Sequence, residues 1–398
     1  MKILIYDWNF FTKRDLYKSI KSQGIEIELF YSNLSPRIVA EKEQFTEQLS
    51  CFLKDKSYDA FFSINFFPEF AEKANEIGIP YICWTYDSPS LGAVTKQLRF
   101  DTNWIFVFDS SEYEMYKGYG LPHLYYLPLG VDNERLGSIT VTPMAKMKFY
   151  SEVSFVGQLY QSDMDKILPL FDEYGAGYIA AIINTQLGVY GTNIIKELIN
   201  EKIVERFCNE DVKRALMKNL NGGFFYDVEK IGVSNTTGFL LKAVTNRERV
   251  ILLSLLGKHH KVKLYTKGNH QLPGVTNMGL VDYVKEMPLV FKCSKINLNI
   301  TLRTIEAGVP QRVLDIMACK ALALTNYQKD MEEYFIDEEN ILIYHSMEEA
   351  ADKCNFYLKH EDKAEKIRQK GYHLIKDYFN MGKQLGKIWE TCGLKDKI

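Results

Sequence analysis

The chain has 398 residues, a hydrophobic fraction of 46% and a formal net charge of −2. At roughly 150 residues per domain, this length predicts two or three domains, and the hydrophobic fraction is sufficient for two cores. Because the charge is balanced, the sequence lacks the basic character of nucleic-acid-binding proteins, and we expect no nucleic-acid partner.

Three features indicate a compartment. The seven cysteines are odd in number and form no Cys-x-x-Cys pair, which is typical of free thiols in a reducing compartment. The first residues, MKILIYDWNF, read as a strand and not as the apolar core of a signal peptide. No apolar run approaches the roughly 20 residues of a membrane span. The sequence therefore predicts a cytoplasmic protein with no membrane span.

The first part of the chain alternates strands and helices, which predicts a doubly wound parallel sheet. Strands are predicted over 2–6, 25–31, 60–64, 81–86 and 104–108, and helices over 14–23, 36–54 and from 68 to about 78. Ligands of such sheets bind beyond the carboxyl ends of the strands. This rule selects polar residues that follow the strands, although turn chemistry alone is the alternative for Asp87-Ser88-Pro89. The residues selected are Asp7, Asn9, Asn65, Asp87, Ser88 and Asp109.

A second sheet is predicted after residue 150. Residues 137–150 lack an apolar pattern and are interpreted as a linker, and residues 153–157 begin the new sheet. Residues 163–242 are mostly helical by pattern, and helices that merely cover the lobe are the ordinary explanation. A helix over 246–256 has Arg247 and Arg249 in its first turn, where basic side chains oppose the helix dipole. Either an anionic ligand or a salt bridge to nearby acids would hold them there.

The region from 293 to 327 predicts one βαβ unit. Apolar and polar residues alternate over 296–303, which indicates a strand with one buried and one polar face. Gly308-Val309-Pro310 then breaks the chain before a helix over 311–319 and a buried strand over 321–324. A helix N-terminus suits an anion. Arg312 and Asp315 are three residues apart, so both can face one ligand there, although a surface Arg–Asp pair is the alternative.

Several segments of the chain, both in this region and in its first part, resemble those of a known family. The segments SKINLNITLRTIEAGVPQRVLDIMA, LTNYQKDMEEYF, YICWTYDSP and LYYLPLGVD resemble glycosyltransferase-B enzymes, specifically the spore-maturation-like glycosyltransferases. In many retaining relatives two glutamates stand eight positions apart, and the second accepts from the donor ribose. Asp315 stands at that second position, whereas Ala307 stands at the first, next to Glu306. Lys320 is a further departure, since relatives usually have a small residue there, often Gly.

The resemblance implies an α/β fold of two Rossmann-like parallel-sheet lobes that face a cleft, with a helical insertion in the C-terminal lobe at about 163–242. The expected boundaries are 1–136 for the acceptor-side lobe, 137–150 for the linker and 151–375 for the donor-side lobe. Residues 376–398 would form a C-terminal helix that crosses back to the first lobe. In relatives, the donor phosphates approach the Phe155-Val156-Gly157 segment, and the loop at Gly279 and Leu280 binds the nucleobase through its backbone.

We predict a glycosyltransferase that moves a sugar from a nucleotide-sugar donor to a hydroxyl-bearing acceptor, either a glycan, a protein or a component of an envelope, spore or flagellar surface. The alternatives are a non-catalytic nucleotide-sugar-binding scaffold and a nucleotide-sugar epimerase or hydrolase on the same fold. Arg312 would stabilise the leaving diphosphate and Asp87 would act on the acceptor as an acid or base. The predicted donor site comprises Gly157, Arg249, Tyr265, Gly279, Leu280, Gly308, Val309, Gln311, Arg312 and Asp315, and the predicted acceptor side comprises Asn9, Asn65, Asp87 and Ser88.

No cofactor and no metal are expected. The sequence contains no Asp-x-Asp motif, no His-Glu-x-x-His motif and no cluster of His, Cys and acidic residues with metal-ligand spacing. A helix N-terminus together with an arginine would then meet the charge of the donor phosphates.

Overall fold

The computed structural model describes residues 1–91, 95–160, 164–219 and 231–398. The strands are β1 (Lys2–Tyr6), β2 (Glu26–Phe30), β3 (Ala60–Ile64), β4 (Tyr81–Trp84), β5 (Asn103–Val107), β6 (Leu124–Tyr126), β7 (Ser151–Val156), β8 (Val262–Tyr265), β9 (Val275–Asn277), β10 (Ser294–Asn299), β11 (Ala323–Asn326) and β12 (Leu342–Tyr344). The helices are α1 (Lys13–Lys21), α2 (Lys42–Leu53), α3 (Pro68–Ile77), α4 (Ser110–Lys117), α5 (Asn133–Ser138), α6 (Pro143–Phe149), α7 (Met164–Ile167), α8 (Glu173–Leu187), α9 (Ile195–Leu198), α10 (Glu201–Phe207), α11 (Glu210–Asn219), α12 (Val233–Gly257), α13 (Met287–Cys293), α14 (Gln311–Ala318), α15 (Met347–Tyr357), α16 (Glu361–Tyr378) and α17 (Met381–Thr391).

The chain forms two compact units. The N-unit comprises Met1–Gly137, Ala307–Ala318 and His373–Ile398, and the C-unit comprises Ser138–Glu306 and Cys319–Tyr372. Helix α14 thus groups with the N-unit, whereas the sequence assigned it to the donor-side lobe.

Each unit contains one six-stranded parallel sheet. The strand order is β2-β1-β3-β4-β5-β6 in the N-unit and β12-β11-β10-β7-β8-β9 in the C-unit. The prediction of an α/β fold with two parallel sheets is therefore confirmed. The strands of such sheets are covered on both faces, so they read as continuous apolar runs, and β3 is buried along its whole length.

Aromatic rings fill much of the N-unit core. The Tyr6 ring lies 4.8 Å from the Phe67 ring, 5.1 Å from the Phe70 ring and 5.4 Å from the Phe45 ring, measured between centroids. Most of these contacts are edge-on or tilted, the arrangements that aromatic pairs prefer. The large number of Tyr and Phe residues in the chain thus serves packing in this unit.

The C-terminal segment packs within the N-unit. The Val131 N–H donates to the Phe379 carbonyl at 2.9 Å, and the Trp389 indole N–H donates to Gln23 Oε1 at 2.8 Å. Trp389 itself is 1% exposed, so α17 buries a large apolar side chain in this unit.

Two local predictions differ from the structure. The expected linker at 137–150 contains α6, whose first turn is capped by the Thr142 hydroxyl. The alternating strand predicted over 296–303 ends at Asn299, and its polar residues are buried, because β10 lies between two other strands in the sheet. The described part of the predicted insertion is helical, and residues 161–163 and 220–230 lie outside the described residues.

Candidate functional site

The switch point of the C-unit sheet lies between β7 and β10. The chain runs from β7 outward to β9 and then returns to β10 on the other side of β7. Ligands of doubly wound folds bind beyond the strand ends at such a point. Arg249 of α12 joins the two loops there, because its guanidinium donates to the carbonyl oxygens of Gln158 and Ile300. The same guanidinium lies 4.7 Å from the centroid of the Tyr160 ring.

The position of Arg249 in its helix corrects the sequence argument. Because α12 begins at Val233, Arg247 and Arg249 lie in the middle of the helix and not in its first turn. Cations in mid-helix do not oppose the dipole at the helix start, so that reason for placing a ligand beside them was wrong. Arg247 donates to Asn184 Oδ1 at 2.9 Å, and Arg249 is 6% exposed. Arg249 therefore holds the two loops of the switch point together through its hydrogen bonds.

The other predicted donor residues of the C-unit differ in their exposure. The Gly157 N–H donates to the Tyr265 carbonyl at 3.0 Å, and the Tyr265 side chain is buried, so its ring is not presented to a ligand. Gly279 has a φ of +76°, and its N–H donates to Asn277 Oδ1 at 3.0 Å. Leu280 is 69% exposed. Of this group, the loop at Gly279 and Leu280 is the part open to solvent.

A buried ion pair beside this region was missed from the sequence. Arg303 follows β10, and its guanidinium nitrogens Nε and Nη2 each lie 2.9 Å from Glu248 Oε2. The hydroxyls of Tyr190 and Tyr344 donate to Glu248 Oε1 at 2.9 and 3.3 Å. Such a pair is costly to break, because either partner alone would be an uncompensated buried charge. The sequence predicted an exposed strand position for Arg303, and its partner lies 55 residues away.

The turn before α14 is already partly occupied by an acid. The Asp109 carboxylate accepts from the Ala307 N–H at 3.2 Å and from the Gly308 N–H. Gly308 has no room for a side chain, since an added Cβ would lie 2.8 Å from the Phe108 ring. The sequence predicted unpaired N–H groups at the N-terminus of the helix, and the Ala307 and Gly308 N–H groups precede that terminus, which begins at Gln311.

Arg312 and Asp315 lie together at the start of α14, as the sequence predicted. Arg312 Nη1 is 3.9 Å from Asp315 Oδ2, and the exposed fractions of the two side chains are 27% and 1%. The Gln311 amide donates to Asp315 Oδ1 at 3.1 Å and to the Gly130 carbonyl at 3.2 Å. Val309 is 5% exposed and packs inside. The Arg–Asp pair is therefore half-buried, with the guanidinium on its open side.

The predicted acceptor-side residues surround the loop after β4. Asn65, which has a φ of +65°, donates its amide to Asp87 Oδ2 at 2.7 Å. Its amide oxygen accepts from the Tyr86 N–H at 2.9 Å. Ser88 is buried, and Asn9 has a φ of +67° in the loop after β1. The structure therefore brings Asn65, Asp87 and Ser88 together, with Asn65 as the residue that fixes the loop.

Asp87 has a perturbed acidity. Asp87 has a solvent-exposed surface. The protein atoms around its carboxyl nevertheless displace much of the nearby water, and this desolvation raises the pKa of the carboxyl above the ordinary value. The Arg37 charge and the hydrogen bond from Asn65 oppose that shift. A carboxyl with a raised pKa is better suited to accept a proton than an ordinary aspartate. Arg37 was not selected from the sequence, because it follows no predicted strand directly.

A second acid, Glu112, is buried below the same loop. Its carboxylate accepts from the Ser90 N–H at 2.8 Å and from the Ser90 hydroxyl at 2.7 Å. Burial raises the pKa of Glu112 to about 8, the hydrogen bonds from Ser90 oppose this, and the charge of Asp109 adds to it. Glu112 thus ties the loop after β4 to α4.

Within the described ranges, no group of three or more His, Cys, Asp and Glu side chains is placed to hold a metal ion. Across the same ranges, no helix is long and apolar enough to cross a membrane.

Similarity to known proteins identifies the enzyme class. Residues 238–389 match the model of a family described as glycosyl transferase-like. Among curated proteins none matches the chain. This matched segment contains most of α12, the last five strands of the C-unit sheet and α14.

Solved structures share the fold at low sequence identity. Sucrose-phosphate synthase from Thermosynechococcus elongatus matches with 9% identity and a TM-score of 0.57, over 98% of each chain. A glycosyltransferase from Rickettsia africae matches with 10% identity and a TM-score of 0.56, over 100% of this chain and 98% of the other. The HepE protein of Anabaena in complex with UDP and glucose matches with 11% identity and a TM-score of 0.52, over 99% of each chain. The chain therefore has the glycosyltransferase-B fold, and the family match confirms the prediction that it is a glycosyltransferase-type enzyme.

Proposed function

We propose that the enzyme transfers a glycosyl group from a nucleotide-sugar to a hydroxyl group of an acceptor, without a metal ion. The observation that carries this proposal is the family match over residues 238–389, which contains the Arg312–Asp315 pair at the start of α14. Membership of the spore-maturation-like family is part of the same proposal, and it rests on the sequence segments that resemble that family.

In this proposal Arg312 binds the donor diphosphate. A guanidinium carries five N–H donors and grips phosphate oxygens in a planar, bidentate manner. The Arg312 side chain is 27% exposed, so it can reach a ligand without a rearrangement of α14. The Ala307 and Gly308 N–H groups already serve the Asp109 carboxylate, so the side chain of Arg312, and not that part of the turn, would meet the charge of the leaving group.

Asp315 would hold the donor ribose. A carboxylate offers about four acceptor positions, so Asp315 can accept from sugar hydroxyls in addition to the Gln311 amide. Because Asp315 is 1% exposed, its orientation is fixed by the packing of α14 and not by solvent.

Asp87 would take the proton of the acceptor hydroxyl. The hydroxyl oxygen bonds to the anomeric carbon, the bond from that carbon to the diphosphate oxygen breaks, and the nucleoside diphosphate leaves with the electron pair. The raised pKa of Asp87 favours this role, since a base is most effective when its pKa approaches the working pH. Asn65 keeps the carboxylate in place through its 2.7 Å hydrogen bond.

The test is the release of nucleoside diphosphate from a panel of nucleotide-sugars, measured with and without candidate acceptors. Because solved structures of the same fold carry UDP, UDP-glucose is the first donor to try. Transfer predicts release that rises with acceptor, with the sugar recovered on the acceptor. Release that is independent of acceptor would indicate a hydrolase, a changed sugar without release an epimerase, and donor binding with no turnover a scaffold.

Metal independence is tested in the same assay. With EDTA in excess, the rate of acceptor-dependent release should stay within about twofold of the untreated rate, because an arginine and a helix terminus would supply the positive charge. Loss of release that Mg²⁺ or Mn²⁺ restores would contradict this part of the proposal.

A further inference from the structure

The N-unit contains a pocket of about 260 Å³ beyond the ends of its first three strands. It is lined by residues of the loops after β1 and β2 and by Phe67, the residue before α3. The strand order places β1 between β2 and β3. The chain adds β2 on one side of β1 and all later strands on the other side. The pocket therefore lies at the switch point of this sheet, which is where ligands of doubly wound folds bind.

The walls of the pocket are aromatic and rigid. The Arg37 guanidinium lies 5.3 Å from the Trp8 ring centroid and 4.9 Å from the Phe67 ring centroid. The Trp8 indole N–H donates to the Ile64 carbonyl at 2.8 Å, which fixes the orientation of that ring. Tyr31, which also lines the pocket, is 63% exposed. Phe67 is buried, so the exposed Tyr31 ring beside the fixed Trp8 ring provides the surface on which a flat apolar ligand face can stack.

The remaining lining groups are uncharged hydrogen-bonding groups. Asn9, Ser32 and Asn33 contribute amides and hydroxyls, and Arg37 is the one charged side chain among the lining residues that the structure describes. Burial lowers the pKa of Arg37, and the negative charge of Asp87 opposes this shift. Because these two charges offset each other, the pocket favours a neutral ligand with many hydroxyl groups over an anion.

A pyranose ring has this combination of an apolar face and a rim of hydroxyl groups. Ligand pockets usually measure roughly 300–1,000 Å³, so a pocket at the lower limit fits one ring and not a long chain. We propose that this pocket binds the terminal pyranose of the acceptor, with one ring face against the aromatic wall and one hydroxyl toward Asp87. The acceptor is then a saccharide and not a protein side chain. This inference rests on the proposed function, since it gives Asp87 the acceptor for its proton transfer.

The experiment is ligand-observed saturation-transfer NMR on the full chain. The probes are methyl pyranosides of gluco, galacto and manno configuration, their N-acetylamino and uronate counterparts, and a serine-containing peptide. At least one neutral pyranoside should receive saturation, mainly on the protons of one ring face, and the peptide should receive none. Tyr31→Ala and, separately, Arg37→Gln should each weaken this binding by about tenfold, the scale of one lost aromatic or charged contact.

Two variants serve as matched controls. Tyr174 is 70% exposed on α8, and Arg14 is an exposed arginine of α1, so Tyr174→Ala and Arg14→Gln should bind the pyranoside as the unmodified protein does. Absence of pyranoside binding, preference for the peptide or the uronates, or undiminished binding in both pocket variants would overturn the inference.

Binding of UDP to the same proteins, measured by thermal shift, separates this inference from the proposed function. If UDP and the other nucleoside diphosphates bind but no pyranoside does, the donor assignment stands and the saccharide pocket falls. If the pyranoside binds and the pocket variants lose it, but no nucleotide or nucleotide-sugar binds, the pocket stands and glycosyl transfer falls.

Discussion

Asn65 links two loops of the N-unit through a single side chain. It accepts from the Tyr86 N–H and donates to the Asp87 carboxylate, so the position of Asp87 depends on a residue at the end of the neighbouring strand. Asn is one of the few residue types that adopts a positive φ without a large penalty, and Asn65 has a φ of +65°. The sequence selected this polar residue after β3 for the acceptor side, and in the structure its side chain positions Asp87.

Asp87→Asn should lower turnover by about 100-fold, the scale on which loss of a general base acts, while donor affinity stays unchanged. Because the pKa of Asp87 is raised, the acid limb of the pH–rate profile should lie above the ordinary range of an aspartate and should vanish in the variant. Steady-state kinetics across pH checks both expectations. Asp101→Asn, at an exposed aspartate, is the control. Unchanged turnover in Asp87→Asn would remove Asp87 from the mechanism.

Glu112 should make stability fall as the pH rises. Its folded pKa is about 8, whereas that of a glutamate in an unfolded chain is about 4.3. Between these values the folded protein keeps a proton that the unfolded chain releases. The contribution of Glu112 to stability is therefore complete below pH ~4.3. As the pH rises from ~4.3 to ~8, this contribution falls by about 1.4 kcal/mol per pH unit.

Glu112→Gln should remove that slope. Denaturant titrations between pH 5 and pH 8 measure the free energy of unfolding, and the difference between the two proteins should change with pH in the direction stated. Glu43→Gln, at an exposed glutamate of α2, controls for the loss of a negative charge. If the variant and the unmodified protein keep parallel pH dependences, Glu112 is ionised in the folded state.

The elements that were predicted well are those whose signal is local. Strands β1 and β3 begin and end where the sequence predicts, because each is a short apolar run bounded by polar or turn residues. The start of α12 was placed at 246 and lies at Val233, since the segment before 246 is rich in Thr, Ser and Gly, which have low intrinsic helix propensity. Most of that segment is buried, so tertiary packing outweighs propensity there.

The candidate site was predicted only in part for the same reason. The Arg312–Asp315 pair follows from residues three positions apart, and it is present. The contact between Asp109 and the Ala307 N–H joins residues 198 positions apart, so no local pattern could reveal it. Lys320 has a φ of +58°, a left-handed conformation that glycine adopts with the least strain.

Gly308→Ala should destabilise the protein. The new methyl group would lie 2.8 Å from the Phe108 ring and 3.1 Å from the Asp109 Cα, so the turn or the ring must move, at a cost of about 1–3 kcal/mol. The midpoint of thermal unfolding measures the effect. Gly177→Ala is the matched control, because an added Cβ in the middle of α8 meets no atom within 4 Å, and alanine there should leave the midpoint unchanged or raise it. Equal midpoints in the two variants would mean that the turn before α14 is not tightly packed.

At the scale of the whole molecule, the chain contains two six-stranded parallel sheets, and each has one switch point. The segment that matches glycosyl transferases lies mostly in the C-unit and includes α14 of the N-unit, and the N-unit also contains Asp87 and the aromatic pocket. The central claim concerns the start of α14, where Arg312 is proposed to bind the donor diphosphate and Asp315 the donor ribose.

Calorimetric titration of nucleoside diphosphates into Arg312→Ala is the most direct test of that claim. A charge-assisted contact contributes about 1.5–3 kcal/mol, so the variant should bind the preferred diphosphate roughly 10- to 150-fold more weakly, and Asp315→Ala should weaken the diphosphate and the free nucleoside alike. Arg214→Ala is the matched control, since Arg214 pairs with Asp211 at 3.2 Å on the surface of α11 with the same three-residue spacing. Undiminished affinity in folded Arg312→Ala protein would contradict the account, because the Arg–Asp pair of α14 would then be a surface salt bridge and the donor would bind elsewhere.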